Sequence, residues 1–237
     1  MKLANEIWAF IPARFGSKRV VHKNIKKINN IPLLAHSVIF ALKVKKISKI
    51  IVSSDSKKYL NVAKKYGANE LHLRKKKFSK DETPDIDVFY DYTRDLIKKN
   101  KDVPKYFLHL RPSTPFRNVR TCNMIINFFQ KNKKKYTALR SVSSMTNPSY
   151  KTMRIVNQKL CSIIKKDFSM DKLNKPGNSF PKTFIPNGQY DIVKTENILK
   201  KILHGNKVFG FISKEFNSDI DDANDFLKVK KFYSSNF

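Results

Sequence analysis

Residues 11–24, IPARFGSKRVVHKN, place Arg14, Lys18, Arg19 and Lys23 in a loop directly after an apolar run, with Gly16 and Ser17 between them. Arginine offers a planar bidentate fork and lysine a mobile point charge, and a polyphosphate carries enough negative charge to use both. The loop lacks the later glycines of G-x-G-x-x-G and the G-K-[ST] ending of a P-loop, so it would hold phosphate mainly through side chains. A nucleic-acid contact and a solvated turn fit the same charges. Near the other end, SDIDDANDF (218–226) alternates Asp219 and Asp221, whose side chains point the same way on an extended segment. Such a pair suits Mg²⁺, which keeps several waters and takes its other ligands from phosphate. Asp222 and Asp225 read as the cap and first-turn charges of a following helix, and capping alone would also explain the whole cluster. In RPSTPFR (111–117), Arg111 sits where an apolar run ends and favours a pocket, whereas Arg117 reads as a surface charge. Arg74 opens a lysine run and by charge alone reads the same way. His22, His36, His72, His109 and His204 are expected to be structural or solvated, not catalytic.

These residues need elements to position them. Short apolar runs alternate with longer amphipathic ones, the pattern of βα units around a mostly parallel sheet. Strands are predicted over 7–11, 50–53, 70–73, 106–110 and 138–142. Helices are predicted in IPLLAHSVIFALKV, with Pro32 in the first turn, and in SKKYLNVAKKYGA, stopped by Gly67. DIDVFYDYTRDLIKKN begins with carboxylates and ends with lysines, as a helix dipole favours, and RTCNMIINFFQKNKK is a further helix. Residues 143–185 break the rhythm with Pro148, Pro176, Gly177 and Pro181 and read as a β-rich excursion. The pattern resumes with a strand at 189–193, a helix at 195–203, a strand at 208–212 and a helix from Asp222. Residues 1–237 are read as one domain. In open α/β sheets ligands bind beyond the carboxyl ends of the strands, where the basic loop falls.

With 237 residues and 41% hydrophobic side chains, the chain can bury a substantial core, which argues against disorder. No apolar run approaches a membrane span, and residues 1–10 lack the features of a signal peptide. Cys122 and Cys161 offer neither a disulfide framework nor zinc spacing, so a cytoplasmic protein is expected. The net charge of +30 invites a nucleic-acid reading. Only nine of the 49 basic residues are arginine, however, and the lysines accompany abundant Asn and Ile, as an AT-rich coding sequence would produce. The runs at 73–80 and 131–135 are not interleaved with stacking aromatics. Nucleic acid is therefore the weaker explanation of the charge, which still attracts nucleotides and acidic substrates.

IPARFGSKRVVHKN resembles the IPARxGSKxxxxKN signature of cytidylyltransferases that activate acidic sugars, above all the CMP-sialic acid synthetase family. Further landmarks follow in family order over nearly the whole chain: IIVSSD (50–55), LRKKKFSKDETPD (73–85), LRPSTPFR (110–117), PNGQYDI (186–192) and SDIDDANDF. The resemblance implies an α/β, Rossmann-like nucleotidyltransferase fold with a mostly parallel central sheet and a small dimerisation arm within 143–185. It further implies that CTP and an acidic nine-carbon sugar give a CMP-sugar and pyrophosphate, with Mg²⁺ as cofactor, in a cytoplasmic homodimer. Carried over residue by residue, Arg14, Gly16, Ser17, Lys18, Lys23 and Asn24 would bind the nucleotide, and Arg74, Thr83 and Asp85 would meet its base. Lys23, Arg14 and Asp221 would be catalytic, with Asp219 and Asp221 as metal ligands.

On the sugar side the chain departs from the family. The Arg-Gln pair upstream of PNG is replaced by Gly177 and Asn178, and PNGAIYI of many members reads PNGQYDI. Arg111 stands where the L[QR]PTSPLR motif carries Gln or, commonly among bacterial relatives, Arg, and it or a neighbouring lysine is a candidate to take over the sugar's carboxylate. Sugar contacts are expected from Arg111, Asn178, Asn187, Gly188 and Gln189, with the identity of the acid sugar left open. A CMP-Kdo-type enzyme with another acceptor or nucleotide is the alternative, and a nucleic-acid-binding protein ranks third.

Overall fold

Alternation along the first strand decides the architecture. In β1 (Leu3–Pro12), Ile7, Ala9 and Ile11 turn to one face and Trp8 and Phe10 to the other, all almost fully buried. A strand apolar on both faces needs helices on both sides, which is the condition of a parallel sheet. The computed structural model describes residues 3–164 and 169–236; the part of the predicted excursion at 165–168 lies outside the described residues.

The chain continues through a two-stranded ribbon, β2 (Lys27–Ile28) and β3 (Ile31–Pro32), into α1 (Leu33–Lys43) and β4 (Ile47–Ser54). Then come α2 (Lys57–Lys65), β5 (Glu70–Leu73), α3 (Asp85–Lys98), β6 (Val103–His109), α4 (Val119–Lys131) and β7 (Ala138–Ser144). A hairpin of β8 (Met153–Val156) and β9 (Lys159–Ser162) and a short α5 (Met170–Leu173) precede β10 (Phe184–Lys194). The chain closes with α6 (Thr195–Leu199), β11 (Val208–Ile212) and α7 (Ala223–Asn236).

The central sheet has the order β11-β7-β10-β6-β1-β4-β5. β4 and β6 flank β1 in parallel, β5 adds in parallel to β4, and β10 runs antiparallel to β6. On one face Leu34 and Val38 of α1, Tyr59 and Ala63 of α2, and Ile126 and Phe129 of α4 share a core with Ile7, Ala9 and Ile11. On the other, Phe89, Tyr92 and Leu96 of α3 and Ile198 of α6 pack with Trp8, Phe10 and Phe107. Phe10 stacks on Phe89 with ring centroids 4.1 Å apart. Because the four parallel strands end on one edge, the loops that follow Pro12, Ser54, Leu73 and His109 leave the sheet side by side.

Element ends depart from sequence expectation for local reasons. Pro32 precedes α1 instead of opening its first turn, because it is paired with Lys27 in the ribbon. The helix predicted over 195–203 stops at Leu199, since Lys201 takes a left-handed φ of 57° and donates its N–H back to Ile198. Gly67 does end α2, at a φ of +105° that few other residues accept.

The chain divides into two compact units, Met1–Ser141 with Asn187–Phe237, and Val142–Pro186. The second unit holds the β8–β9 hairpin, whose Ile155, Val156 and Leu160 are exposed, and α5, which Ser169 caps through the Lys172 N–H. It is thus only partly β, with short helical turns at 149–151 and 177–179. Among the described residues no helix is long and apolar enough to cross a membrane.

Candidate active site

At the carboxyl edge of the parallel strands lies a cavity of about 300 Å³, lined by seven basic residues and three carboxylates. The excess of cations gives it a chemistry suited to an anion. Backbone bonds continue the sheet into the loops that wall it: Ala13 N–H to Ser53 O (2.8 Å), Leu110 N–H to Phe10 O (3.0 Å) and Arg74 N–H to Ser54 O (2.9 Å). The basic loop is pinned where the Phe15 N–H donates to Asp55 (2.8 Å) and Asn24 donates to the Arg14 carbonyl (2.9 Å). His22, at a left-handed φ of 55°, turns the chain immediately before Lys23.

The loop's cations are already engaged by acids. Arg14 and Lys18 both grip Asp81, the latter at 2.5 Å. Arg19 lies 3.2 Å from Asp221, and Lys23 lies 3.7 Å from the same oxygen while donating to the Ile220 carbonyl. The Ile220 N–H bonds Ser113 O at 3.0 Å, which ties the acidic segment to the loop after β6. Asp222 accepts from the Asp225 N–H (2.9 Å), and Asp225 accepts from the N–H groups of Asp221 and Asp222, reciprocal bonds that cap α7.

Arg74 is a buried cation, not the surface charge its lysine-rich surroundings suggest. Its Nε donates to Ser53 Oγ (2.9 Å) and one Nη2 hydrogen to Ser53 O (3.0 Å), leaving three N–H groups beside the cavity. Burial lowers its pKa to about 10, so it stays charged at neutral pH. Ser53 Oγ also meets His72 Nδ1 at 2.9 Å. Arg111 bridges Asp191 (2.9 Å) and Asp85 (3.3 Å). Burial opposes the charge of Asp85, yet its neighbours outweigh burial and hold its pKa below the usual value. His109 is one of these neighbours, but it is itself uncharged at neutral pH, so Arg111 and Arg74 carry the compensation. Arg117 corrects its sequence reading: it is half-buried and donates to Gln189 O, Ser37 Oγ, Arg111 O and Thr114 Oγ1.

Two histidines link this architecture to pH. Burial pushes His72 down to about 4 and His109 down to about 3, so both are neutral in the folded protein at pH 7. In the unfolded chain they take up a proton near pH 6.5. Below that pH the unfolded state binds more protons, and each histidine lowers stability by about 1.4 kcal/mol per pH unit until its folded pKa is reached. Urea midpoints measured between pH 7 and 4.5 are therefore expected to fall on acidification, and a flat profile would contradict the burial of both rings.

Of the residues assigned from sequence, Arg14, Ser17, Lys18, Lys23, Asn24, Arg74, Thr83, Asp85, Arg111 and Asp221 line the cavity together. Gly16, Asp219, Asn178, Asn187, Gly188 and Gln189 do not. Asn187 and Gln189 are buried, held by Ser141 Oγ and by the carbonyls of Phe116 and Phe216, so they fasten the sheet to its loops. Gly188, at a φ of +68°, leaves room for Arg111, whose Cδ would lie 3.4 Å from an added Cβ. Asn178 is exposed in the second unit. Sequence reasoning passed over Lys80 and Asp81 and gave Arg19 of the basic loop no assigned role, yet all three line the cavity. Their charges look like any others in so basic a chain, and only the fold sets them apart.

For a hard cation the donor chemistry fits at Asp221, a carboxylate on the cavity wall; Asp219 is exposed and does not line it. Among the described residues the grouping of ligand atoms sufficient for a metal by itself is His72, Asp91 and Asp95, and there Lys75 already bonds both acids.

A mostly parallel sheet with a nucleotide-scale basic cavity at its carboxyl edge defines a nucleotidyltransferase-type α/β protein. A family profile described as cytidylyltransferase matches residues 8–217, and the chain belongs to that family. It is 30% identical over 226 residues to an N-acylneuraminate cytidylyltransferase of Escherichia coli O18:K1:H7, covering 94% of this chain and 51% of that protein. It is 37% identical over 118 residues to a CMP-N,N'-diacetyllegionaminic acid synthase of Legionella pneumophila, covering 48% of this chain and 49% of that one. The chain thus spans about half the length of the E. coli relative it matches, and its match to the Legionella protein spans about half of that one. The fold is also that of a CMP:2-keto-3-deoxy-manno-octonic acid synthetase solved with CTP, at a TM-score of 0.67 and 14% identity, over 98% of this chain and 100% of the other.

Proposed function

We propose that this protein transfers a cytidylyl group from CTP to the anomeric hydroxyl of an acidic nine-carbon sugar, releasing pyrophosphate. The observation that carries the reading is the cavity itself, where the basic loop, Arg74 and the acidic segment meet. The names of the relatives, which include acylneuraminate and legionaminate enzymes, support the choice of CTP and of a nonulosonic acid.

The sugar oxygen attacks the α-phosphorus, the bond from that phosphorus to the bridging oxygen breaks, and the hydroxyl proton leaves to solvent or a phosphate oxygen. Such a transfer needs positioning and charge neutralisation more than a covalent partner. Arg14 and Lys18 hold the two oxygens of Asp81, an arrangement that phosphate oxygens of greater charge would replace. Lys23, held by Ile220 O, is placed to neutralise charge that develops on the transferring group. Asp221 would hold Mg²⁺ together with the phosphates, and the ion would supply Lewis-acid neutralisation of the triphosphate. Arg74 and Asp85 would face the base. We place the reaction in the cytoplasm and in a homodimer, for which the exposed Ile155, Leu160 and Ile163 of the second unit offer an apolar surface.

The test is pyrophosphate release with each of the four nucleoside triphosphates against N-acetylneuraminate, legionaminate, pseudaminate and Kdo. Release is expected only with CTP, only with an acid sugar and only with Mg²⁺. Silence across the whole panel, or preference for another nucleotide, would sink the proposal.

A further inference from the structure

Asp191 sits in a row of polar charge that crosses three neighbouring strands. In register it faces His109 of β6, and Arg140 of β7 lies on its other side. It is 0% exposed, and its Oδ2 meets Arg111 Nη1 at 2.9 Å, His204 Nε2 at 3.6 Å and Arg140 Nε at 3.7 Å. Arg111 uses its other terminal nitrogen for Asp85, at 3.3 Å. One planar fork thus joins a carboxylate buried in the sheet to a carboxylate on the cavity wall. With both ends engaged, the guanidinium cannot turn without breaking a charged hydrogen bond. Position 191 is also one at which the chain departs from the PNGAIYI motif it resembles, and the Asp found there contacts Arg111.

This arrangement removes Arg111 as a spare cation for the acceptor's carboxylate, because two acids already match it. What it delivers to the cavity is a fixed Asp85. Arg74 lines the same cavity and keeps three N–H groups unspent by Ser53. Cytosine carries carbonyl and ring-nitrogen acceptors beside an exocyclic amino donor, which suits an arginine beside a carboxylate. Uracil puts a carbonyl oxygen where the amino group was, and a carboxylate opposite it repels.

We propose that Asp191 is a positioning residue for nucleobase selection: through Arg111 it holds the Asp85 carboxylate beside Arg74, where the pair selects an amino-bearing base over a carbonyl-bearing one. The inference rests on the reading of the cavity as a CTP site. Its test is calorimetric binding of CTP and of UTP, without acceptor, to the wild-type chain, Asp85→Asn and Asp191→Asn. The wild type is expected to prefer CTP, and each variant to lose about tenfold of that preference. A merely structural role would lower thermal stability and weaken both nucleotides alike, leaving their ratio unchanged. An unchanged ratio in folded Asp191→Asn overturns the proposal. Should that variant not fold, Asp191→Asn/Arg111→Gln removes both charges of the pair together, and a wild-type ratio there is equally fatal. A wild type that binds neither nucleotide overturns the CTP reading and this inference with it; a wild type that prefers CTP beside variants of unaltered ratio overturns this inference alone.

Discussion

Lys23→Ala is expected to lower kcat for CTP-dependent pyrophosphate release by on the order of 10²–10³, the usual loss when one fixed donor to a developing charge is removed. The reason lies in how Lys23 is held. Its side chain is only 16% exposed, its ammonium donates to the Ile220 carbonyl, and Asp221 lies 3.7 Å away. A cation fixed before substrate arrives needs little reorganisation during transfer. Lys18 makes the instructive contrast: its side chain is 83% exposed, and solvent and salt screen what it contributes. Lys18→Ala should therefore raise the KM for CTP while changing kcat little. Steady-state kinetics on both variants, with CTP affinity measured by calorimetry, separates the two roles. A Lys23→Ala enzyme within threefold of wild-type kcat would remove Lys23 from the mechanism.

The second large effect is on folding. Arg117→Met is expected to destabilise the protein by about 3–5 kcal/mol, because several acceptors lose a charge-assisted hydrogen bond together and each left unsatisfied costs about 1–3 kcal/mol. Methionine restores most of the stem's volume but none of its donors. Gln189 O (2.7 Å), Ser37 Oγ (3.1 Å), Arg111 O (2.7 Å) and Thr114 Oγ1 (2.9 Å) all lose a bond at once. Burial lowers the Arg117 pKa to about 10, so the group remains a cation at neutral pH, and none of its hydrogen bonds goes to a carboxylate. Those oxygens belong to β10, α1 and the loop after β6, which makes Arg117 the fastener between the sheet and one wall of the cavity. Urea unfolding at constant m-value measures the loss; a change under 1 kcal/mol would show that the network is dispensable.

Arg117 also shows where sequence reading stops. An arginine after a proline-rich turn in a chain of charge +30 carries no mark that separates a hydrogen-bonded hub from a solvated side chain. Arg74 raises the same difficulty, since Lys75, Lys76 and Lys77 follow it directly. What distinguishes Arg74 is Ser53, twenty-one residues away in the chain and adjacent only because β4 and β5 pair in register. The sugar-side residues show a related limit. Asn187 and Gln189 lie in a recognisable motif, but the sheet turns them into its own hydrogen bonds instead of into the cavity.

By itself the sequence determined what depends on neighbours along the chain. The alternation of Ile7 to Ile11 dictated a strand buried on both faces, Gly67 dictated a helix end, and the spacing of Arg14, Lys18 and Lys23 dictated a basic loop at a strand's carboxyl end. These are local matters of period, backbone freedom and charge. The tertiary structure alone decided which charges became chemistry. Asp81 meets Arg14 and Lys18 across more than sixty residues, Asp221 meets Lys23 across nearly two hundred, and Asp191 meets Arg111 across eighty. Coulomb attraction and hydrogen bonding act over a few ångströms, and only the folded sheet brings residues so far apart in the chain within that reach.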